Sequence, residues 1–226
     1  MSDLYKGIND PKIKSDLEQY KQLNLGLSEK YKGKMAKLSA ADFYEAVKTY
    51  EAASVAASKL GIFAYLNMIT QMSNKEAMAF YQDTNETMTE YGKPAIFFTL
   101  EINALPEDKF QAFLLDSQVA YYAPWLKRVR MFKPYELSED IEALLADKAL
   151  TSSAAWVRLY DETASKLKYV VDGKEYNDAE ISKLLQDKDP LVREKAGKEL
   201  NRVNKENGEL FTFIYNMIVK DGAIED

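Results

Sequence analysis

The sequence predicts an all-α protein of long antiparallel helices, with one short β-hairpin near residues 168–176. Three observations predict it. Apolar and small residues recur at alternating steps of four and three from Phe43 through Val47, Tyr50, Ser54, Ala57, Gly61 and Ala64 to Met68, which traces one face of a long helix. Cap signals recur along the chain: Asp10-Pro11 and Asp189-Pro190 place an acceptor before a proline, and Asn177 precedes Glu180 by three. Finally, Asp172-Gly173 sits between Tyr-Val-Val and Lys-Glu-Tyr, the pattern of a two-residue hairpin turn.

The elements follow in order. A first helix should run from Pro11 to Tyr31 and end at Gly33, where Lys30, Lys32 and Lys34 suit the negative end of its dipole. The second starts near Ser39, and its small residues Ala53, Ser54, Ala57 and Gly61 suit close approach by another helix, giving a long helical hairpin. Ser73 with Glu76 resembles a capping box for a third helix reaching about Tyr91, where Gly92 and Pro94 break it. Helical character resumes over Ala95 to Ala104, after Pro106, and over Tyr121 to Phe132. Two further helices are expected at about Ser138 to Lys148 and Ser152 to Lys166. After the hairpin and a helix capped by Asn177, Asp189-Pro190 opens what reads as the last and longest helix, ending near Val219. No repeat or flexible linker interrupts the chain, so one helical region over 1–226 is expected, in two lobes, 1–115 and 116–226.

Composition narrows the chemistry. The 226 residues are 46% hydrophobic and 29% charged, enough apolar content to bury a real core. A formal charge of −6 opposes phosphate backbones, so no nucleic acid partner is expected. The polar stretch from Met1 to Asp16 lacks the apolar core of a signal peptide, and no apolar run approaches the ~20 residues that span a bilayer. No membrane association and a cytoplasmic location are therefore expected. The chain has no histidine and no cysteine, which removes the usual zinc sites, the Ser-His-Asp triad and the Cys-His pair. Its nine glycines are too widely spaced for a P-loop or a dinucleotide fingerprint. The match of Ser165 and Lys168 to S-x-x-K lacks its partner motifs and reads as chance. Lysines in Lys30 to Lys37 read as a helix end. Lys127, Arg128, Arg130 and Lys133, interleaved with Trp125 and Phe132, read as partners of acidic neighbours, the alternative being a face for a partner or a peptide carboxylate. No catalytic or metal-binding residue can be assigned.

Read in order, several segments carry a resemblance: Asp3-Leu4-Tyr5, Tyr31-Lys32-Gly33-Lys34, and Phe97-Phe98 followed by Leu100-Glu101 and Leu105. Further on come Trp125-Leu126 with Arg128 and Arg130, then Pro134 with Leu137-Ser138. Most specific are the run from Ala155 to Glu162, Val171-Asp172-Gly173, Asp189-Pro190 with Val192-Arg193, and Val219-Lys220-Asp221. Together they resemble the N-terminal region of the oligoendopeptidase F family, zinc metallopeptidases related to thimet oligopeptidase. Two departures are Tyr135, where relatives often place a histidine, and the lack of an aromatic lead-in before Asp3.

The resemblance implies a parent hydrolase that cleaves short peptides with zinc held by an H-E-x-x-H helix in a catalytic domain absent from this chain. The helical part would form one wall of the substrate channel and be inactive alone, without a cofactor of its own. Its partners would be the catalytic domain and an oligopeptide substrate. Apolar residues surround the last helix: 211, 214 and 218 share one face, and Leu210, Phe213 and Met217 the other. The first set is expected to pack on the helical region and the second to meet the catalytic domain, so the isolated chain should self-associate. The alternative is a stand-alone helical interaction module. A helical enzyme using two carboxylates is a third reading that no residue pair marks.

Overall fold

The caps read from the sequence are in place in the computed structural model, which describes residues 1–72 and 74–225; Ser73, expected to cap the third helix, lies outside the described residues. Asp10 accepts from the backbone N–H of Lys12 and starts α1 (Pro11–Tyr31). Gly33, at φ +74°, turns the chain out of α1, and Lys34 donates to the terminal carbonyls of Lys30 and Glu29. Ser39 accepts from the N–H of Asp42 and opens α2 (Ala40–Thr70). Then follow α3 (Lys75–Gly92), α4 (Phe97–Ala104), α5 (Glu107–Leu114), α6 (Ser117–Ala120), α7 (Ala123–Met131), α8 (Glu139–Thr151) and α9 (Ser153–Ser165). Strands β1 (Tyr169–Val171) and β2 (Lys174–Tyr176) pair antiparallel, with Tyr169 opposite Tyr176 and Val171 opposite Lys174. Positive φ at Asp172 (52°) and Gly173 (78°) gives the two-residue turn that such a register requires. The helices α10 (Asp178–Leu184), α11 (Pro190–Glu206) and α12 (Gly208–Glu225) complete an all-α fold with one short hairpin.

The chain divides into two units, Met1–Thr70 with Glu76–Asp147, and Gln71–Lys75 with Lys148–Asp226. The division thus lies inside α8, not at 115/116 as the sequence reading had it. The reason is packing: Val119 of α6 and Leu126 of α7 are buried in the same cluster as Phe43 of α2, and Trp125 of α7 lies 5.6 Å from Tyr50 of α2. Helices α6 and α7 therefore share the first core, and Lys32 on Glu139 ties the start of α8 to the same unit.

In the first unit α1 lies along α2. A large cluster, including Leu27, Phe43, Phe98, Ile102, Phe113 and Leu126, is closed from water at one end of that pair. A second cluster of Tyr5, Ile13, Leu60 and Phe63 closes the other. Helix α2 is long and apolar enough to cross a membrane by length and composition, which corrects the expectation that no stretch qualified. Here its apolar face packs as a core helix, with Phe43, Val47, Leu60 and Phe63 buried. The small residues of its middle behave in two ways. Gly61 meets the Met88 side chain of α3 and Ala53 is buried, whereas Ser54 is exposed and Ala57 half-buried.

In the second unit, Tyr169, Val171, Ile181, Ala196 and Val203 form the core between the hairpin, α10 and α11. Glu199 of α11 accepts from the Val170 N–H at 2.7 Å, satisfying the free edge of β1. The Arg202 guanidinium, together with that N–H, holds the Glu199 carboxyl down at about 2. Arg193 donates to the carbonyls of Asp187 and Lys188 and fixes the turn into α11. The expected single last helix is two: it breaks at Asn207, whose side chain donates to the Val203 carbonyl at 2.9 Å before Gly208 starts α12. The longest helix is α2, with 31 residues.

Candidate functional site

The uncovered middle of α2 is the feature that makes a site. Tyr50 and Ser54 stand between two cavities, both within the first unit. On one side a cavity of about 590 Å³ is walled by Ala53, Ser54 and Ala57, whose short side chains leave the space. Facing them are Ile96 and Leu100 at the start of α4, Val129 and Phe132 at the end of α7, and α8. On the other side a groove of about 360 Å³ is lined by Tyr50, Tyr121, Tyr122 and Trp125. Tyr122 donates to Glu51 at 2.6 Å, and that bond pushes its hydroxyl up to about 12.

Asn103 lines the first cavity and is 1% exposed. Its Nδ2 donates to the Val129 carbonyl at 3.2 Å and to the Glu136 carboxylate. Both partners are acceptors, which fixes the orientation of the amide and leaves Oδ1 as the free acceptor. Among the described residues that oxygen has no partner. Glu142 accepts from the Leu137 N–H at 3.1 Å, and among the described residues neither Glu136 nor Glu142 has a cationic partner. Burial raises the hydroxyls of Tyr20 and Tyr50, so both stay protonated donors at the cavity wall.

Among the described residues, Arg130 is the one basic residue of the α7 run that pairs with an acid. It donates to the Ile102 and Leu105 carbonyls at 3.2 and 3.0 Å and to Glu107 at 2.8 Å, while lying over the Phe110 ring. Lys127, Arg128 and Lys133 are exposed and have no acidic partner among the described residues, a correction to the expectation that the run pairs internally.

The sequence-selected residues of α12 lie elsewhere, in the second unit. Ile214 is buried and Phe211 and Ile218 are half-buried, whereas Leu210 and Phe213 are exposed and Met217 is half-buried. Phe213 keeps one edge against Trp156 of α9, with centroids 5.8 Å apart, and Phe211 lies 5.3 Å from Tyr160. Asp221 receives Lys148 at 2.7 Å, and that ammonium holds its carboxyl below the usual range. The cavity beside α2 carried no sequence signal except the small residues, read as a packing seam.

The zinc that the resemblance implies does not fit this chain. There is no histidine or cysteine, and among the described residues no three carboxylates are grouped to hold a metal ion.

Residues 101–169 match the family model described as Oligopeptidase F. The fold is similar to that of oligoendopeptidase-F from Enterococcus faecium, with a TM-score of 0.80 and 20% identity, covering 94% of this chain and 44% of that one. It is also similar to a protein of Chlamydophila abortus described as a candidate peptidase, with a TM-score of 0.55 and 15% identity, covering 98% of this chain and 38% of that one. Among curated proteins none matches the sequence. The chain thus spans less than half the length of the solved structures it matches. The family model on residues 101–169 and the fold likeness over nearly all of the chain together make it similar to the oligoendopeptidase F peptidases.

Proposed function

We propose that the chain is the non-catalytic part of a zinc metallo-oligopeptidase and forms one wall of the channel through which short peptides reach the catalytic half. The observation that carries this reading is the fold likeness over 94% of this chain but 44% of the Enterococcus faecium enzyme, joined to the lack of a zinc donor set among the described residues. The open face of α2 supports it: an aromatic groove and a partly polar cavity meeting at Tyr50 and Ser54 can take an extended peptide and its side chains. The catalytic half would pack on the apolar strip of Leu210, Phe213 and Met217. The zinc belongs to that half, and hydrolysis with it.

The test starts with the gene downstream of the Asp226 codon. An open frame reaching H-E-x-x-H supports the proposal; a stop codon overturns it in favour of a self-contained interaction module. In the longer protein, Ser54→Trp should raise KM for pentapeptides while leaving the melting temperature in place. An unchanged KM would remove α2 from the channel wall.

A further inference from the structure

The cavity beside α2 combines three features that point to one ligand chemistry. Its lining includes Asn103, whose buried amide oxygen Oδ1 has no donor among the described residues. Its polar lining carries two carboxylates, Glu136 and Glu142, and no lysine or arginine. The rest of its lining is mainly apolar and aromatic, with Tyr50 and Phe132 among it, beside the uncharged polar side chains of Asn24, Ser54 and Thr99. A buried acceptor left without a donor is costly, and two unpaired carboxylates beside it disfavour an anion. An ammonium group supplies up to three donors and a positive charge, and aromatic faces attract such a charge. The short side chains at Ala53 and Ala57 leave room for an alkyl body, and about 590 Å³ falls within the size range of small-ligand sites.

We propose that this cavity binds an organic ammonium ion, with Asn103 Oδ1 and the Glu136 and Glu142 carboxylates receiving the charged head and Tyr50 and Phe132 flanking the alkyl body. Two sources carry that head, the free amino group of a peptide and a free polyamine. The peptide source rests on the peptidase reading, which uses the same cavity, but the cavity is complete within residues 20–146 and its binding is read on this chain alone, so the two can fail separately.

Calorimetric titration of the 226-residue chain tests it with three probes: a pentapeptide with a free amino terminus and no lysine, the same peptide N-acetylated, and spermidine. Saturable binding of the free-amine peptide, weakened roughly tenfold or more by acetylation, assigns the site to peptide amines. Binding of spermidine with neither peptide bound assigns it to polyamines. Glu142→Gln should weaken the bound probe by a similar factor, and Ala57→Leu, which fills the space, should abolish binding with the melting temperature nearly unchanged. Equal binding of the free and acetylated peptides, affinity unchanged in both variants, or no saturable binding of any probe would overturn the proposal.

Discussion

The Tyr5 hydroxyl donates to the Asp16 carboxylate at 2.7 Å inside the first unit, and Lys59 of α2 reaches the same oxygen at 2.7 Å. The Lys59 ammonium also lies over the Tyr5 ring at 4.6 Å. Asp3-Leu4-Tyr5, one of the segments that carried the family resemblance, is thus a peg that ties the chain start to α1 and α2. Tyr5→Phe should cost about 1–2 kcal/mol in denaturant unfolding, and Asp16→Ala about 2–4 kcal/mol because two donors lose their acceptor.

The pH dependence has two arms. Burial pushes the Asp16 carboxyl up, but the bonds from Lys59 and Tyr5 outweigh it and hold it below the usual range. Its contribution is therefore present above an ordinary carboxylate pKa and fades as pH falls from about 4 downward. Burial and the adjacent carboxylate raise the Tyr5 hydroxyl, so its contribution is present below about pH 10 and is lost as pH rises beyond it. The stability gap between wild type and Asp16→Asn should narrow in acid; a gap constant from pH 7 to pH 3 would contradict this assignment.

The hairpin turn offers a second test. Gly173 sits at φ +78°, where a β-branched residue is strained, and the turn is held to α11 by Lys195 on Asp172 at 2.8 Å. Gly173→Val should cost on the order of 1–3 kcal/mol and lower the melting temperature, while Gly173→Asn should cost less. Equal melting temperatures for both variants and wild type would rule out the turn described.

Much of the fold was legible because its start and stop signals are local. Asp10-Pro11, Ser39, Asn177 with Glu180, and Asp172-Gly173 act through hydrogen bonds and φ values set within a few residues. The break at Asn207 was equally local: Asn207-Gly208 is a turn-forming dipeptide, passed over because the apolar rhythm on either side reads as continuous. The cavity was not legible. Ala53, Ser54 and Ala57 read as a close-packed seam, and only tertiary structure shows that Ala53 is buried while Ser54 stays exposed and Ala57 half-buried. Nor does any short-range pattern reveal that Asn103 would meet Val129 and Glu136, 26 and 33 residues away.

Arg130 joins α7 to the end of α4 through the Leu105 carbonyl and the Ile102 carbonyl, which also accepts the capping Leu105 N–H. Arg130→Leu should destabilise by about 2–3 kcal/mol, with Arg130→Lys intermediate because an ammonium cannot reproduce the planar fork. By contrast, replacing exposed Arg128 with leucine should change stability within about 0.5 kcal/mol. Equal losses at the two positions would contradict the difference in their partners.

The strip on α12 makes a separate claim about association. Phe213→Gln with Met217→Gln should leave the helical circular dichroism intact, cost about 1 kcal/mol through the lost edge contact with Trp156, and reduce any concentration-dependent self-association. Sedimentation velocity across a concentration series reads this. An unfolded double variant would show that the strip belongs to the core.

The central claim, that this chain positions peptides and the zinc chemistry belongs elsewhere, is met most directly by one assay on the purified 226 residues. Metal content is measured after dialysis against zinc, alongside cleavage of a quenched fluorescent pentapeptide. The expected result is no stoichiometric zinc and no turnover above that of a mock purification. Zinc-dependent cleavage that follows the chain through successive columns and is abolished by a chelator would contradict it.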